Sequence, residues 1–467
     1  MPIVSLKFLL FFPAVVMIYY ALPRRARNPF LLVAGLVFYF MYGFSFGLML
    51  LWVIGASYVA ALRVQRDGCS RWALVFWLAM CLGPMLFFKI KAHVLDALPP
   101  DSWVMKIPGL NWAVVVGLSC YTLQAVGYVV EVYKRRVAAE RSLLTHALFV
   151  SFLPTVTSGP IQHTVPLLPQ LQAGGKAFDA PMFLQGVKTF IWGLFLKLVV
   201  ADRFGIYVNS VLPEAAHYNA VTVLLALVCL TIQIYTDFAG YSAMAIGLGQ
   251  MLGFTIPENF RRPLFSVGMK ELWRRWHISL SSWLRDYVYI PLGGSRCAKW
   301  RVALNSVLAF VVSGMWHGLQ PTYLVWGLGN GLAVASEVFL PWNGLRKHRA
   351  TRLLGMLLTV LTMSLLLGFF RDSWAEVTAL FTTLFTGFSS WHLMMGDATR
   401  TQATLLAMAL FFGVVLLRDV YDEWLASRFT AWHRGRLAVS LVFHAVLVVL
   451  VLLFGVMDSG SFIYLKF

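Results

Sequence analysis

Apolar runs of nearly the length that crosses a bilayer recur from one end of this chain to the other, and that alone removes most soluble folds. A hydrocarbon core ~30 Å thick takes about 20 helical residues. Within it every backbone N–H and C=O needs a partner in its own segment, so the expected structure is helical. Of 467 residues 59% are hydrophobic and 12% are Asp, Glu, Lys or Arg, and mean hydropathy is +0.74. A soluble domain of this length does not have that balance. The reading is an all-α polytopic membrane protein, a single membrane-embedded domain over residues 1–467.

The candidate spans are Leu6–Leu22, Phe30–Phe44, Phe46–Leu62, Trp72–Phe88, Trp112–Val130, Leu184–Val200, Val221–Tyr235, Val302–Trp316, Tyr323–Leu340, Leu354–Phe370, Thr404–Leu417 and Leu437–Phe454. Several are short. Together with the Pro- and Gly-interrupted stretches Phe152–Pro160 and Phe238–Pro257, they suggest re-entrant elements and a locally thinned core. Leu6–Leu22 is expected to be an uncleaved first span, because no small-residue cleavage site follows it.

The formal charge of +18 is spread over short loops and gives no surface for nucleic acid. Arg24, Arg25 and Arg27, then Arg63, Arg66 and Arg71, then Lys134, Arg135, Arg136 and Arg141 occupy alternate loops, as cytoplasmic loops would. Arg346, Lys347, Arg349 and Arg352 continue the set, as do Arg428, Arg434 and Arg436; Lys89 and Lys91 are an exception. The five cysteines are widely spaced, contain no C-x-x-C pair, and read as packing residues. No repeat or low-complexity tract interrupts the chain.

Polar residues within apolar surroundings concentrate in residues 117–331. Glu131 reads as an interfacial carboxylate beside Lys134 or Arg135. Ser158, Gln162 and His163, in the proline-rich stretch after Pro154, suit either a water-filled entrance or an ordinary loop. The segment from Asp237 to Gly249 carries one carboxylate and several glycines, which most simply serve close helix packing. No phosphate loop of the G-x-x-x-x-G-K-[ST] type occurs.

Two histidines stand out. Lys270–Ile290 has the period of an amphipathic helix: Trp273, Trp276, Leu280, Trp283, Leu284 and Tyr287 on one face, Arg275, Ser282 and Asp286 opposite, and His277 at the edge beside Arg274. Its arginines suit lipid phosphate, and Arg274, Arg275 and Arg285 equally suit the phosphates of a coenzyme A donor, with Trp276 alongside. His317 differs, because 16 residues of helix beyond Arg301 carry the chain about 24 Å from a basic loop into apolar sequence. It reads as a satisfied core histidine or as a proton-transfer group, imidazole being suited to that task near neutral pH. Gly314 and Gly318 would leave space beside the ring, while Trp316 and Trp326 would wall a pocket.

These residues resemble the membrane-bound O-acyltransferase family, in its bacterial AlgI/DltB-like branch of alginate acetylation and D-alanyl transfer. The resemblance runs through Arg27-Asn-Pro-Phe, Gly117-Leu-Ser-Cys-Tyr, Gly159-Pro-Ile, Asp237-Phe-Ala-Gly-Tyr-Ser, Glu258-Asn-Phe, Trp273 to Gly294 and Gly314-Met-Trp-His-Gly. It implies a family fold of about 11–12 transmembrane helices, with re-entrant and interfacial helices, around a central tunnel. It implies His317 as the catalytic histidine and His277 as the second active-site polar residue, with Asp237, Asn259, Tyr241 and Trp316 shaping the cavity. The implied activity is O-acetyl transfer from a cytoplasmic thioester, acetyl-CoA as donor substrate, to an extracytoplasmic polysaccharide or peptidoglycan. The implied setting is the bacterial inner membrane, in contact with lipid and with a periplasmic acetyltransferase of the AlgJ/AlgX kind as partner, with no metal and no bound cofactor. Ala243 and His163 depart from many alginate-type relatives, which carry an acidic residue and an arginine there, so the acceptor polymer is left open. D-alanyl transfer from a carrier-protein thioester is the alternative within the class. A secondary transporter is the alternative outside it, since broken helices and midplane polar groups suit alternating access as well.

Overall fold

A computed structural model describes residues 2–66, 69–96, 102, 115–340, 342–346, 348–371, 373–388, 390–393, 398–425 and 433–456. Lys347, Arg428 and the first three residues of the Trp112–Val130 stretch lie outside them. The described residues form helices and no strand, as the bilayer argument requires. Among the described residues six stretches are long and apolar enough to cross a membrane: Phe44–Val64, Arg71–Lys91, Ala180–Val211, Ala220–Met251, Arg349–Leu367 and Thr404–Leu425. Leu6–Ala21 and Ala438–Phe454 are shorter apolar helices.

The chain divides into two compact units. The first comprises the described residues of Met1–Phe190 and Ser242–Glu258. Its helices are α1 (Leu6–Ala21), α2 (Arg24–Phe40), α3 (Phe44–Val64), α4 (Arg71–Asp96), α5 (Leu118–Tyr133), α6 (Leu143–Val150) and α7 (Thr164–Gln172), with α8 (Ala180–Leu194) starting in it. Residues Phe152 to Ile161 are an irregular turn, buried throughout, and fit the expectation of a non-helical apolar element held inside protein. Ser158 within it and Gln162 just after it are buried, the Gln162 amide donating to the Pro160 carbonyl. Glu131 pairs with Arg136 at 3.1 Å.

The second unit comprises the described residues of Ile191–Tyr241 and Asn259–Ile463. Its helices are α9 (Asp202–Val211), α10 (Ala220–Met251, whose last turns belong to the first unit), α11 (Met269–Arg275), α12 (Ile278–Leu284), α13 (Lys299–His317), α14 (Pro321–Phe339), α15 (Arg349–Leu367), α16 (Trp374–Thr386), α17 (Ala398–Val420) and α18 (His433–Phe454). Here two expectations are corrected. The Phe238–Pro257 stretch is not re-entrant up to Met251: α10 runs through its glycines as one 32-residue helix. The glycines serve close helix packing, as the sequence of residues 237–249 implies, a Cβ on Gly240 falling 2.9 Å from the Gly193 carbonyl oxygen and one on Gly247 falling 2.6 Å from the Gly186 carbonyl oxygen.

The second correction concerns Lys270–Ile290, which is not one amphipathic helix. α11 ends at Arg275, the chain turns through Trp276 and His277, and α12 starts at Ile278. His277 has φ 43°, a left-handed conformation that costs a non-glycine residue about 1–2 kcal/mol. A tertiary clamp holds it there. The Ile278 N–H donates to the Asn259 carbonyl, the Ser279 N–H and hydroxyl both donate to the Asn259 carboxamide oxygen, and the Arg261 N–H donates to the Arg275 carbonyl. A π-helical turn over Arg285–Tyr289 follows, and the chain reverses at Gly293 (φ 114°) and Gly294 (φ 56°), where the sequence places a turn.

Candidate active site

α13 and α14 form the hairpin that presents His317. Their backbones meet closely because Gly314 and Gly327 face the opposing helix: a Cβ on Gly314 would lie 2.3 Å from the Tyr323 carbonyl oxygen, and one on Gly327 would lie 2.5 Å from that of Phe310. Gly314 and Gly318 therefore do not leave open space beside the imidazole. The room at Gly318 is filled by the Tyr323 ring, 2.4 Å from where a Cβ would stand.

His317 ends α13, only 4% exposed, inside an aromatic cage. Its ring centroid lies 4.6 Å from Trp316, 5.0 Å from Trp326 and 4.9 Å from Phe370, all three edge-on. Trp316 and Trp326 thus pack directly against the imidazole and line neither of the basins described below. Trp316 reaches the second histidine too, 6.1 Å from the His277 ring. His277 is 2% exposed, so it belongs to the interior and not to a helix edge at an interface. Phe238 of α10 crosses it edge-on at 4.5 Å, and its Nδ1 lies 3.2 Å from the Asn259 carboxamide oxygen. An oxygen acceptor fixes Nδ1 as the protonated nitrogen. Burial pushes the His277 pKa down to about 3, so the ring is neutral near pH 7.

Asn259 therefore joins the site through His277. Asp237 and Tyr241 do something else. Asp237, one residue before the ring that crosses His277, pairs with Lys197 Nζ at 2.7 Å; Asp202 pairs with the same Nζ at 2.7 Å, and that Nζ stands 5.8 Å over the Tyr241 ring. Lys197 and Asp237 are 2% and 1% exposed, a charged cluster that holds the helices around it. Lys197 was not singled out in the sequence, although a lysine inside the apolar run Phe190–Ala201 is signal enough. Phe370, more than fifty residues after His317, carries no such signal.

Two basins flank this core. One, of about 590 Å³, is lined by five arginines, Arg261, Arg262, Arg274, Arg275 and Arg352, against Glu271 and Glu423. Arg275 is tied to Glu271 and Glu423 at 3.0 Å each, and Arg262 to Glu423 at 2.7 Å, so the basin keeps an excess of positive charge, with Arg261, Arg274 and Arg352 outside these pairs. The other is an apolar groove of about 380 Å³ with Lys270, Arg274 and Arg285 among its lining residues. It runs along α13 past Ser306 and Ala309 to Ser313, one helical turn before His317, and Trp273 lines it as well. Arg274 borders both. Of the arginines read as a phosphate-binding rim, Arg274 and Arg275 line the first basin and Arg274 and Arg285 the second, Arg285 being an exposed side chain bound to Asp286. Trp276 lines neither basin, because its indole is buried against Tyr235 and Phe260. Chemically, the second unit contains an arginine-lined basin, an apolar groove and a caged imidazole.

The family model of the membrane-bound O-acyltransferases matches residues 133–371, a range containing both histidines, Asn259 and both tryptophan walls. The chain is 33% identical over 439 residues to a protein of Pseudomonas aeruginosa described as a probable alginate O-acetylase, AlgI, covering 90% of this chain and 82% of that one. It is 29% identical over 396 residues to a peptidoglycan O-acetyltransferase of Helicobacter pylori, covering 77% and 75%. Against a teichoic acid D-alanyltransferase of Bacillus subtilis it is 30% identical over 265 residues, covering 54% and 67%.

Proposed function

Because the chain belongs to the membrane-bound O-acyltransferase family, and is an O-acyltransferase of the membrane, we propose that it moves acetyl groups from cytoplasmic acetyl-CoA to hydroxyls of an extracytoplasmic glycan. The observation that carries the reading is His317: a buried imidazole at the inner end of the helix that lines an apolar, cation-edged groove. The arginine basin suits the nucleotide phosphates, since guanidinium binds them through paired hydrogen bonds. The groove suits the pantetheine arm, with its mixed apolar and amide surface.

In the reaction, the acceptor hydroxyl oxygen attacks the thioester carbonyl carbon while His317 takes the hydroxyl proton. The carbonyl π pair moves to oxygen, the tetrahedral centre collapses, the C–S bond breaks, and the leaving thiolate takes the proton from His317. Neutral His277, fixed by Asn259 and touching Trp316, positions the wall of this chamber. Asp237 acts through the Lys197 cluster, holding the helix that carries Phe238.

We further propose an inner-membrane setting and a periplasmic acetyltransferase that assists delivery to the polymer; the alginate and peptidoglycan relatives support a glycan acceptor. D-alanyl transfer is the second reading, favoured by the Bacillus subtilis relative over a shorter part of the chain. Purified protein in nanodiscs, given acetyl-labelled acetyl-CoA and soluble glycan oligomers, tests both. The proposal expects label in O-ester linkage and none with His317→Ala; label transfer only from a D-alanyl carrier thioester would replace it with the second reading.

A further inference from the structure

Tryptophan offers hydrogen-bonding chemistry of one kind only, since its indole nitrogen donates and never accepts. Three such groups gather at this site with their bonds unmade. The indole N–H groups of Trp273, Trp316 and Trp326 are each buried and find no acceptor among the described residues. Their rings form a connected set: Trp273 meets Trp326 edge-on at 5.9 Å, Trp326 meets His317 at 5.0 Å, and Trp316 meets His317 at 4.6 Å. Phe370 closes the remaining side at 5.5 Å from Trp326 and 4.9 Å from His317, and it offers nothing polar.

Buried donors in folded proteins are nearly all satisfied, and leaving one unmade is costly. Phenylalanine would pack in the same places without that cost. A donor-only pair whose rings both pack against a proton-accepting imidazole matches one kind of ligand group, an oxygen that gains negative charge as the imidazole gains a proton. We propose that the indole N–H groups of Trp316 and Trp326 receive the thioester carbonyl oxygen as it becomes an oxyanion. The assignment rests on the acyl-transfer reading with His317 as base, and it adds two catalytic residues to it. Trp273 and Ser313 extend the pattern into the groove. Both line it, and the Trp273 N–H and Ser313 hydroxyl have no partner among the described residues, which suits the amide carbonyls of a pantetheine arm.

The electron pair released from the carbonyl π bond rests on this oxygen while the new C–O bond forms, and returns to re-form the carbonyl as the C–S bond breaks. Hydrogen bonds that strengthen only at that stage lower the barrier without tightening donor binding. Trp326→Phe and Trp316→Phe keep a ring and remove the N–H. In nanodiscs, with acetyl-CoA as donor and a glycan oligomer as acceptor, each variant is expected to lose about 10²-fold in kcat with donor KM nearly unchanged. Its thermal midpoint should hold or rise, because an unmade buried bond has been removed. Trp316 is the less buried ring, so its variant carries the test if Trp326→Phe does not fold. Wild-type kcat in the folded variants, or a raised KM with kcat intact, overturns the assignment. His317→Ala separates the two layers: if it is inactive while the phenylalanine variants keep full kcat, the oxyanion role alone fails. If His317→Ala retains activity, the acyl-transfer reading fails with it.

Discussion

His277 shows how much a single residue position here depends on distant ones. Its left-handed backbone is held by Asn259, whose carboxamide oxygen receives the Ser279 N–H and hydroxyl and lies against His277 Nδ1. Asn259→Ala leaves those buried donors unmade, at about 1–3 kcal/mol each in the least relaxed case. The expected result is a thermal midpoint several degrees lower and strongly reduced transfer, measured on the same detergent preparation. His277 also carries a pH dependence. Burial sets its folded pKa near 3, below the ordinary ~6.5, so its stabilising neutral form is complete above ~6.5 and its contribution is lost as pH falls from there toward 3. His277→Gln should therefore lose less thermal stability than wild type between pH 7 and pH 5; equal losses would contradict the account. At the basin, Arg274→Ala should raise donor KM about tenfold and leave kcat within a few-fold, because that side chain borders the anion site and not the cage.

At the scale of elements, the site depends on two close contacts. The α13–α14 hairpin tolerates no side chain at Gly314 or Gly327, and Gly327→Leu should displace His317 by forcing the backbones apart. Lys197 joins the π-helical turn Phe195–Ala201 to α10 through Asp237 and to α9 through Asp202. Removing one partner of such a buried cluster costs about 3–5 kcal/mol, so Lys197→Met should lower the yield of folded protein, and Lys197→Met with both aspartates replaced by Asn should recover part of it. What could be read from sequence follows the same division. The helical segments and the turn at Gly293 and Gly294 are local and contiguous, and they were legible. The break at His277 was not, because Trp273 to Tyr287 keeps a helical period that is overridden by a clamp eighteen residues earlier in the chain. The glycines of α10 carry two readings in sequence, interruption and close packing, and packing is the one that holds, because a membrane helix uses glycine for contact without breaking.

For the whole molecule, the cation-edged groove, the caged imidazole and the α13–α14 hairpin lie in one compact unit, the one that holds most of the residues matched by the family model. The arginine basin concentrates positive charge, so donor binding there under the proposed function should weaken with salt. The cage around His317 drew residues from Trp316, Trp326 and Phe370, and no sequence pattern joins the last of these to the others before the chain folds. The central claim is that His317 moves the proton in acyl transfer. Its most direct test is single-turnover transfer of labelled acetyl from acetyl-CoA to a glycan oligomer by wild type and His317→Ala, matched for folded protein in nanodiscs. The account predicts ester-linked label in the wild type and at least a thousandfold slower transfer in the variant, at equal thermal midpoint; transfer within tenfold of wild type would contradict it.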